Sequence, residues 1–129
     1  MNDPTTNLGE RFLIASDAVR EGEFREAVIE QAGRCRWLVL TRRDGTPRCW
    51  LNVCPHTGRS LNWAPDQFLK DPEGNLICAA HGAVFETDRG ECIGGPCKGD
   101  PLTAVPVEER QGEILLAQGR AESGATSVE

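Results

Sequence analysis

The sequence predicts an all-β protein, with antiparallel strands arranged as a sandwich or barrel. Its apolar runs are short, and glycine- or aspartate-containing turns separate them about every 8 to 12 residues, which is typical of such folds and not of alternating strands and helices. Apolar residues make up 39% of the chain before its 14 glycines are counted, the usual composition of a globular protein. At 129 residues, the chain is long enough for one core and one domain.

The first half of the chain predicts a meander of antiparallel strands. The expected strands are residues 11–15, 24–31, 34–40 and 48–53. Asp44 and Gly45 form a turn signal between the third and fourth of them, which predicts a hairpin. Only residues 16–22 look helical, because Ser16 or Asp17 can cap a single turn and Gly22 can end it.

The second half of the chain predicts shorter strands in the same arrangement. They are expected at residues 76–78, 83–85, 92–93, 103–107 and 113–117. The folded domain is therefore predicted to span residues 11–118, after an N-terminal extension of residues 1–10. We expect residues 119–129 to form a mobile tail, since they contain too few apolar side chains to pack.

Charge and hydropathy argue against two classes of partner. The net charge of −6 repels a phosphate backbone, so no nucleic acid is expected. The longest apolar runs span only a few residues, far below the roughly 20 that cross a bilayer, so no membrane is expected. Residues 1–10 lack the positive and hydrophobic regions of a secretory signal, which predicts a cytoplasmic location.

Cysteine and histidine stand out in the composition. The chain has six cysteines, two histidines and no tyrosine. In a reducing compartment, cysteines serve as metal ligands or remain thiols more often than they form disulfides. Both histidines lie beside a cysteine: His56 follows Cys54, and His81 follows Cys78. Each of these pairs lies at the end of a predicted strand.

Two cysteines and two histidines can hold either of two metal groups. One is a single zinc ion, and the other is a two-iron two-sulfur cluster with both cysteines on one iron and both histidines on the other. A Cys2His2 zinc finger keeps its cysteines together and its histidines together on a helix, whereas each segment here supplies one of each. The mixed arrangement favours the cluster, and zinc stays open as the alternative.

Three motifs of the chain resemble those of the Rieske family. Residues 54–61 match the family's Cys-x-His-x-Gly-x-x-Leu pattern, and residues 78–85 match its Cys-x-x-His-Gly pattern followed by an aromatic residue. Gly94-Gly95-Pro96 matches the third element, the Gly-Pro turn that covers the cluster. The resemblance covers residues 12–116 and points to the soluble Rieske-type ferredoxins.

The resemblance implies a Rieske-type antiparallel β-sandwich with a small cluster-binding subdomain and one 2Fe-2S cluster per chain. It implies Cys54 and Cys78 as ligands of the inner iron, and His56 and His81 as ligands of the outer iron near the surface. It also implies a one-electron carrier that meets a ferredoxin reductase and a terminal oxygenase or hydroxylase in transient contacts.

The chain is not expected to be an enzyme in its own right. A Rieske oxygenase needs a second site, with two further histidines and a carboxylate for mononuclear iron, and both histidines of this chain are already assigned. Two alternatives to a free carrier stay open. One is a small Rieske-like subunit of a larger reductase, such as a nitrite reductase, and the other is a structural zinc-binding module for protein interaction.

Ala83 and the absence of tyrosine predict a low midpoint potential. By resemblance, Ala83 stands where high-potential relatives carry a serine that donates to a bridging sulfide, and no tyrosine can supply the second such donor. Hydrogen bonds of this kind stabilise the reduced cluster, so we expect a potential below about 0 mV.

The four cysteines outside the two motifs are expected to be ordinary thiols. Cys35 and Cys49 fall in predicted strands, where a cysteine is most often a buried core residue. Cys92 and Cys97 flank the Gly-Pro turn, and free thiols are the default in a reducing compartment.

Overall fold

A computed structural model of the chain describes residues 11–31, 33–55, 58–80, 82–95 and 100–117. Within these residues the chain forms ten strands and one short 3-10 turn at Ser16–Ala18. The strands are β1 (Phe12–Ala15), β2 (Phe24–Gln31), β3 (Arg34–Arg43), β4 (Thr46–Leu51), β5 (Leu69–Lys70), β6 (Leu76–Ile77), β7 (Val84–Phe85), β8 (Cys92–Gly94), β9 (Val107–Arg110) and β10 (Glu113–Leu116). No helix in the described part of the chain has the length and apolar character needed to cross a membrane.

The strands form three antiparallel sheets. β1, β10 and β9 lie side by side in that order, β2, β3 and β4 form a meander, and β5 to β8 form a four-stranded sheet in chain order. Neighbouring strands run antiparallel in every one of these sheets. The predicted all-β antiparallel fold is therefore confirmed.

The β2-β3-β4 sheet is the middle layer of the molecule, because both of its faces are buried over residues 38–41 of β3. Along β3, Leu38 and Leu40 point to one side and Val39 to the other, and all three side chains are buried. Leu38 and Leu40 belong to one apolar core, which also contains Ile114 of β10. Val39 belongs to a second apolar core, which also contains Phe85 of β7.

These two cores join the middle sheet to the layers on either side. The base core lies between the middle sheet and the β1-β10-β9 sheet, and it consists of Leu13, Val19, Ala27, Ile29, Leu38, Leu40, Cys49 and Ile114. The loop core lies on the opposite face, toward the four-stranded sheet, and it consists of Phe24, Val39, Trp50, Cys54, Leu61, Leu76, Cys78, Ala83, Phe85, Cys92 and Leu102. The result is a sandwich that carries a small subdomain on one side, as the resemblance implies.

The β2–β3–β4 meander follows the prediction at its start and departs from it at its second turn. β2 has the predicted bounds. β3 continues to Arg43 and not to residue 40, because the hairpin turn is confined to Asp44 and Gly45, whose φ angles are 54° and 77°. β4 then begins at Thr46, directly opposite Arg43. The strand predicted at residues 48–53 is therefore shifted toward the turn.

The strand predicted at residues 103–107 is wrong. β9 begins only at Val107, and the residues before it run beside β4, where the N–H of Leu51 donates to the carbonyl of Thr103 at 2.9 Å. Pro106 lies within the predicted segment, and a proline has no N–H with which to extend a ladder. β5 is a further difference: it has two exposed residues, too few to show an alternating pattern.

Several predictions concern parts of the chain that lie outside the described residues. They include the N-terminal extension of residues 1–10 and the tail of residues 119–129. The domain bounds of 11–118 accordingly stay a prediction.

Candidate functional site

The first predicted motif forms a closed loop, which we call the first cysteine loop (residues 54–61). The N–H of Cys54 donates to the carbonyl of Arg59 at 2.7 Å, and the N–H of Gly58 donates to the carbonyl of Cys54 at 2.7 Å. Gly58 has a φ of 76°, a left-handed conformation that favours glycine. The loop therefore closes on its own cysteine through both backbone groups of that residue.

The second predicted motif, the second cysteine loop (residues 78–85), repeats this construction. The N–H of Cys78 donates to the carbonyl of Ala83 at 2.7 Å, and the N–H of Gly82 donates to the carbonyl of Cys78 at 2.9 Å. Gly82 has a φ of 79°. The offsets of five and four residues are the same in both loops, so the two loops are two copies of one backbone motif.

The structure brings the two predicted cysteine ligands into one environment. Cys54 is 1% exposed and Cys78 is 0% exposed, and both belong to the loop core. Leu61, at the end of the first loop, and Phe85, at the end of the second, are fully buried in the same core. Water is therefore excluded from the side of the two thiols that faces the core.

The two predicted histidine ligands lie outside the described residues. In the sequence, His56 stands between Cys54 and Gly58, and His81 stands directly before Gly82. Both histidines therefore belong to the loops that the two cysteines begin. Their assignment as ligands stays a prediction.

Asn52 is a residue of the site that the sequence analysis missed. Its side chain is buried, 2% exposed, and its Oδ1 accepts from the N–H of Leu61 at 2.7 Å. Its Nδ2 donates to Oδ1 of Asn62 at 2.9 Å. One amide thus joins the entry of the first cysteine loop to its exit. The sequence signal that could have revealed Asn52 is its position. It is a polar residue two positions before Cys54, at the point where an apolar strand ends and the loop begins.

The third predicted motif packs against the second cysteine loop. Gly95 has a φ of 87°, and a Cβ on this residue would lie 2.8 Å from Cα of Ala83 and 3.1 Å from the carbonyl oxygen of Gly82. Only a glycine permits this close approach of two backbones. Pro96, the next residue of the motif, lies outside the described residues.

The other cysteines agree with their predictions in part. Cys49 is buried in the base core, as predicted, and burial raises the pKa of its thiol. Cys92 is buried too, and its Sγ lies 3.1 Å from the carbonyl oxygen of Gly94. The prediction of a buried Cys35 is wrong, since this residue is exposed. Cys97 lies outside the described residues.

Cys35 is exposed because the β2–β3 hairpin extends past the layer that covers the middle sheet. Val28 and Trp37 are directly opposite each other on the same face as Val39, yet they are 47% and 53% exposed. Beside them lies an open groove of about 670 Å³. Its lining includes Trp37 and Cys35 from the hairpin and Ser60 from the first cysteine loop.

Glu26, one of the residues that line the groove, is fixed by a reciprocal pair of hydrogen bonds with Asp66. The N–H of Glu26 donates to Oδ1 of Asp66 at 2.7 Å, and the N–H of Asp66 donates to Oε1 of Glu26 at 3.0 Å. Asp66 also pairs with Arg25 at 3.2 Å. The segment that follows the first cysteine loop is thereby tied to β2.

Comparison with known proteins shows the family of this chain. Residues 10–109 match the family model of the Rieske [2Fe-2S] domain. Chlorophyllide a oxygenase, chloroplastic, of Oryza sativa subsp. japonica is 26% identical over 92 residues, which are 65% of this chain and 15% of that protein.

Solved structures show the same fold. The terminal oxygenase of carbazole 1,9a-dioxygenase from Novosphingobium sp. KA1 has a TM-score of 0.68 at 22% identity, over 92% of this chain and 34% of that chain. The ferredoxin of carbazole 1,9a-dioxygenase from Nocardioides aromaticivorans IC177 has a TM-score of 0.62 at 21% identity, over 82% of this chain and 94% of that chain. The chain thus spans about a third of that oxygenase and nearly the full length of that ferredoxin.

The family match covers both cysteine loops and the glycine-rich third motif. It decides between the two metal groups that the ligand set left open, in favour of the cluster over zinc. The chain therefore belongs to the Rieske [2Fe-2S] domain family, and its cofactor is a Rieske-type 2Fe-2S cluster.

Proposed function

We infer that this chain is a one-electron carrier whose cluster is held by Cys54 and Cys78 on one iron and by His56 and His81 on the other. The observation that carries the inference is the pair of matching loops, which bury two thiols in one apolar core. Each loop also contains a histidine two or three residues after its cysteine. Two thiolates and two imidazoles are the ligand set of a Rieske centre, so the donors present fit the family's cofactor.

The surroundings of the two thiols divide into a dry side and an exposed side. Leu61 and Phe85 are 0% exposed on the core side. Pro55 and Arg59, on the outer side of the first cysteine loop, are exposed. The core shields the two thiols from water on one side, while the exposed Pro55 and Arg59 leave the first cysteine loop within reach of a partner. When bound, the cluster accepts and returns a single electron.

The proposed partners are a ferredoxin reductase as electron donor and a terminal oxygenase or hydroxylase as acceptor. A solved complex of reduced oxygenase and oxidised ferredoxin in carbazole 1,9a-dioxygenase supports the oxygenase. Its matched chain has a TM-score of 0.62 at 24% identity, over 82% of this chain and 90% of that chain. Redox partners of this kind meet in small, transient contacts, which the exposed residues Pro55 and Arg59 can supply.

The carrier has no proposed catalytic site of its own. A mononuclear iron site for oxygen chemistry requires two histidines and a carboxylate in addition to the cluster ligands. The 129 residues contain two histidines in all, and both are proposed as cluster ligands. We therefore propose an electron-transfer component and not an oxygenase.

The second candidate is an electron-transfer subunit that works inside a larger enzyme, such as a reductase. The observation that favours it is the structural match to a terminal oxygenase, which covers 92% of this chain at a TM-score of 0.68. This is more of the chain than the match to the free ferredoxin covers. Stable co-purification with a large subunit would support this candidate, whereas a free carrier purifies alone.

Potentiometric titration of the iron-loaded chain tests the proposed function. A carrier gives one reversible wave that fits the transfer of one electron, and the reduced protein passes that electron to a terminal oxygenase. A protein that binds no iron, or that binds iron without a reversible wave, would contradict the proposal. Cell fractionation tests the proposed cytoplasmic location.

A further inference from the structure

We propose that Asn52 is a positioning residue, which fixes the first cysteine loop relative to the second and thereby sets the geometry of the cluster. The inference rests on the proposed function, because it assigns cluster ligands to both loops. Asn52 itself is not proposed to touch the cluster. It acts through Leu61, the residue that ends the first cysteine loop.

The first step is the anchoring of Asn52 in the middle sheet. Its backbone N–H donates to the carbonyl of Trp37 in β3 at 2.8 Å, directly after the end of β4. Its side chain is 2% exposed. The amide therefore projects from a rigid sheet into the base of the first cysteine loop.

The second step is the clamp across the loop. Asn52 Oδ1 accepts from the N–H of Leu61 at 2.7 Å, and Asn52 Nδ2 donates to Asn62 Oδ1 at 2.9 Å. Asn62 is fixed in turn, since its Nδ2 donates to the carbonyl of Ala64 at 2.8 Å. The clamp therefore joins Asn52, two residues before Cys54, to Leu61 and Asn62 at the far end of the first cysteine loop.

The third step leads to the second cysteine loop. The carbonyl of Leu61 accepts from the N–H of Ala79 at 3.1 Å, and Ala79 directly follows Cys78. Leu61 thus has its N–H bound by Asn52 and its carbonyl bound by the second loop, while its side chain is fully buried. A shift of Leu61 would move one proposed ligand loop against the other.

An amide is the side chain that both contacts require. The N–H of Leu61 can only donate, so it needs an acceptor, and the Asn62 carbonyl oxygen can only accept, so it needs a donor. Leucine at position 52 supplies neither and leaves a buried N–H without its partner. Aspartate supplies the acceptor but, when ionised, no donor.

The test compares three variants in the iron-loaded protein. Asn52→Leu removes the whole clamp, and Asn62→Ala removes one of its two arms. Asn75→Leu is the matched control, because the Asn75 amide is also hydrogen-bonded, to Asp71 at 3.0 Å, in the turn between β5 and β6. The measurements are the rate of iron release to a chelator, the electron paramagnetic resonance linewidth of the reduced protein, and the melting temperature.

We expect Asn52→Leu to release iron about tenfold faster than the natural sequence, the factor that corresponds to about 1.4 kcal/mol of lost hydrogen bonding. The resonance should broaden as the ligand geometry becomes less uniform. Iron release from Asn62→Ala should be faster than from the natural sequence and slower than from Asn52→Leu. Asn75→Leu should lower the melting temperature without changing iron release. Unchanged iron release and linewidth in Asn52→Leu would overturn the proposal. So would release rates that follow the melting temperature alone in all three variants.

Hydrogen exchange separates the failure of this proposal from the failure of the proposed function. In the protein as purified, with or without iron, Asn52→Leu should speed exchange at the amides of Leu61 and Ala79, and Asn75→Leu should not. If the natural sequence takes up no iron, the proposed function fails. If hydrogen exchange at the amides of Leu61 and Ala79 is also unchanged in Asn52→Leu, the proposed clamp fails as well.

Discussion

Among single residues, the buried cysteines differ in their position. Cys54 and Cys78 begin the two matching loops in the loop core, Cys92 lies in the same core but outside both loops, and Cys49 faces the base core on the other side of the middle sheet. Burial raises the pKa of the Cys49 thiol, which keeps it protonated and unreactive. A core thiol and a proposed ligand are therefore told apart by position and not by exposure.

Alanine substitutions test this distinction. Cys54→Ala and Cys78→Ala should each abolish cluster binding, because each removes one of four ligands. Cys49→Ala should retain a full cluster and lower the free energy of unfolding by about 1 to 2 kcal/mol, through the lost packing of a small side chain. Iron and acid-labile sulfide content, with urea denaturation, measures both effects. A full cluster in Cys54→Ala, or none in Cys49→Ala, would be incompatible with the assigned roles.

A comparison of Gly58 with Gly112 separates the cost of backbone strain from an effect on the cluster site. Gly58 and Gly112 have nearly equal φ angles, 76° and 80°, and a Cβ on either would meet nothing within 4 Å. Alanine should therefore cost about 1 to 2 kcal/mol of unfolding free energy at each position, for the left-handed conformation alone. We expect only Gly58→Ala to lower cluster content as well, because Gly58 closes the first cysteine loop. Equal cluster content in the two variants would contradict this role of the loop.

Ala83 is the residue on which the prediction of a low potential depends. It is fully buried in the second cysteine loop, and its carbonyl accepts from the N–H of Cys78. Ala83→Ser should raise the midpoint potential from below about 0 mV by about 60 mV, the equivalent of roughly 1.4 kcal/mol of hydrogen bonding gained in the reduced state. Voltammetry of the natural protein and of Ala83→Ser measures the two midpoint potentials. A natural potential above about +150 mV, or no rise in the variant, would refute the argument.

At the scale of elements, Arg42 holds the middle sheet to its neighbours. Its guanidinium donates to the carbonyls of Val19 and Ser16 at 2.8 and 3.0 Å and to both carboxylate oxygens of Glu109 in β9, at 2.7 and 3.1 Å. The two side chains are 17% and 29% exposed, so solvent screens their pairing only in part. The hydrogen bond from Arg42 lowers the pKa of Glu109.

The lowered pKa gives this ion pair a defined pH dependence. A carboxyl whose pKa is lowered by folding contributes stability that is fully present above its ordinary value of 4.5 and is lost as the pH falls below that value. Glu109→Gln should therefore lower the free energy of unfolding by about 1 to 2 kcal/mol at neutral pH, and the difference should shrink by about pH 3. Urea denaturation at both pH values measures it. Glu113→Gln, at the exposed start of β10, is the control. A difference that stays constant with pH would exclude this mechanism.

The elements also show what local sequence can predict. β2 was predicted with its observed bounds because apolar and polar residues alternate loosely along residues 24–31 of the sequence. The 103–107 segment also contains apolar residues, but Pro106 interrupts it, because a proline has no N–H with which to continue a ladder. Whether a strand such as β3 is covered along its full length depends on the neighbouring layer, which is why the exposure of Cys35 could not be predicted.

At the scale of the whole molecule, the site is assembled from three separate parts of the chain. The two cysteine loops were predicted from the pairing of each histidine with a cysteine and from the family resemblance, and the third motif from the resemblance alone. Their mutual packing, through the contact of Gly95 with the second loop and the bond between Leu61 and Ala79, depends on the tertiary fold. Asn52 carries no local signal strong enough to reveal that it joins the entry of the first cysteine loop to its exit. The four ligands therefore stay a prediction from the sequence, and only the structure shows which residues position the two loops.

The central claim is that one cluster bridges the two loops with cysteines on one iron and histidines on the other. Electron paramagnetic resonance of the purified and reduced protein tests it most directly, because imidazole ligands on one iron give a lower average g value than four cysteines do. We expect that lower g value in the natural protein and its loss in both His56→Ala and His81→Ala. A colourless protein with no signal after reduction, or a signal typical of an all-cysteine cluster, would contradict it.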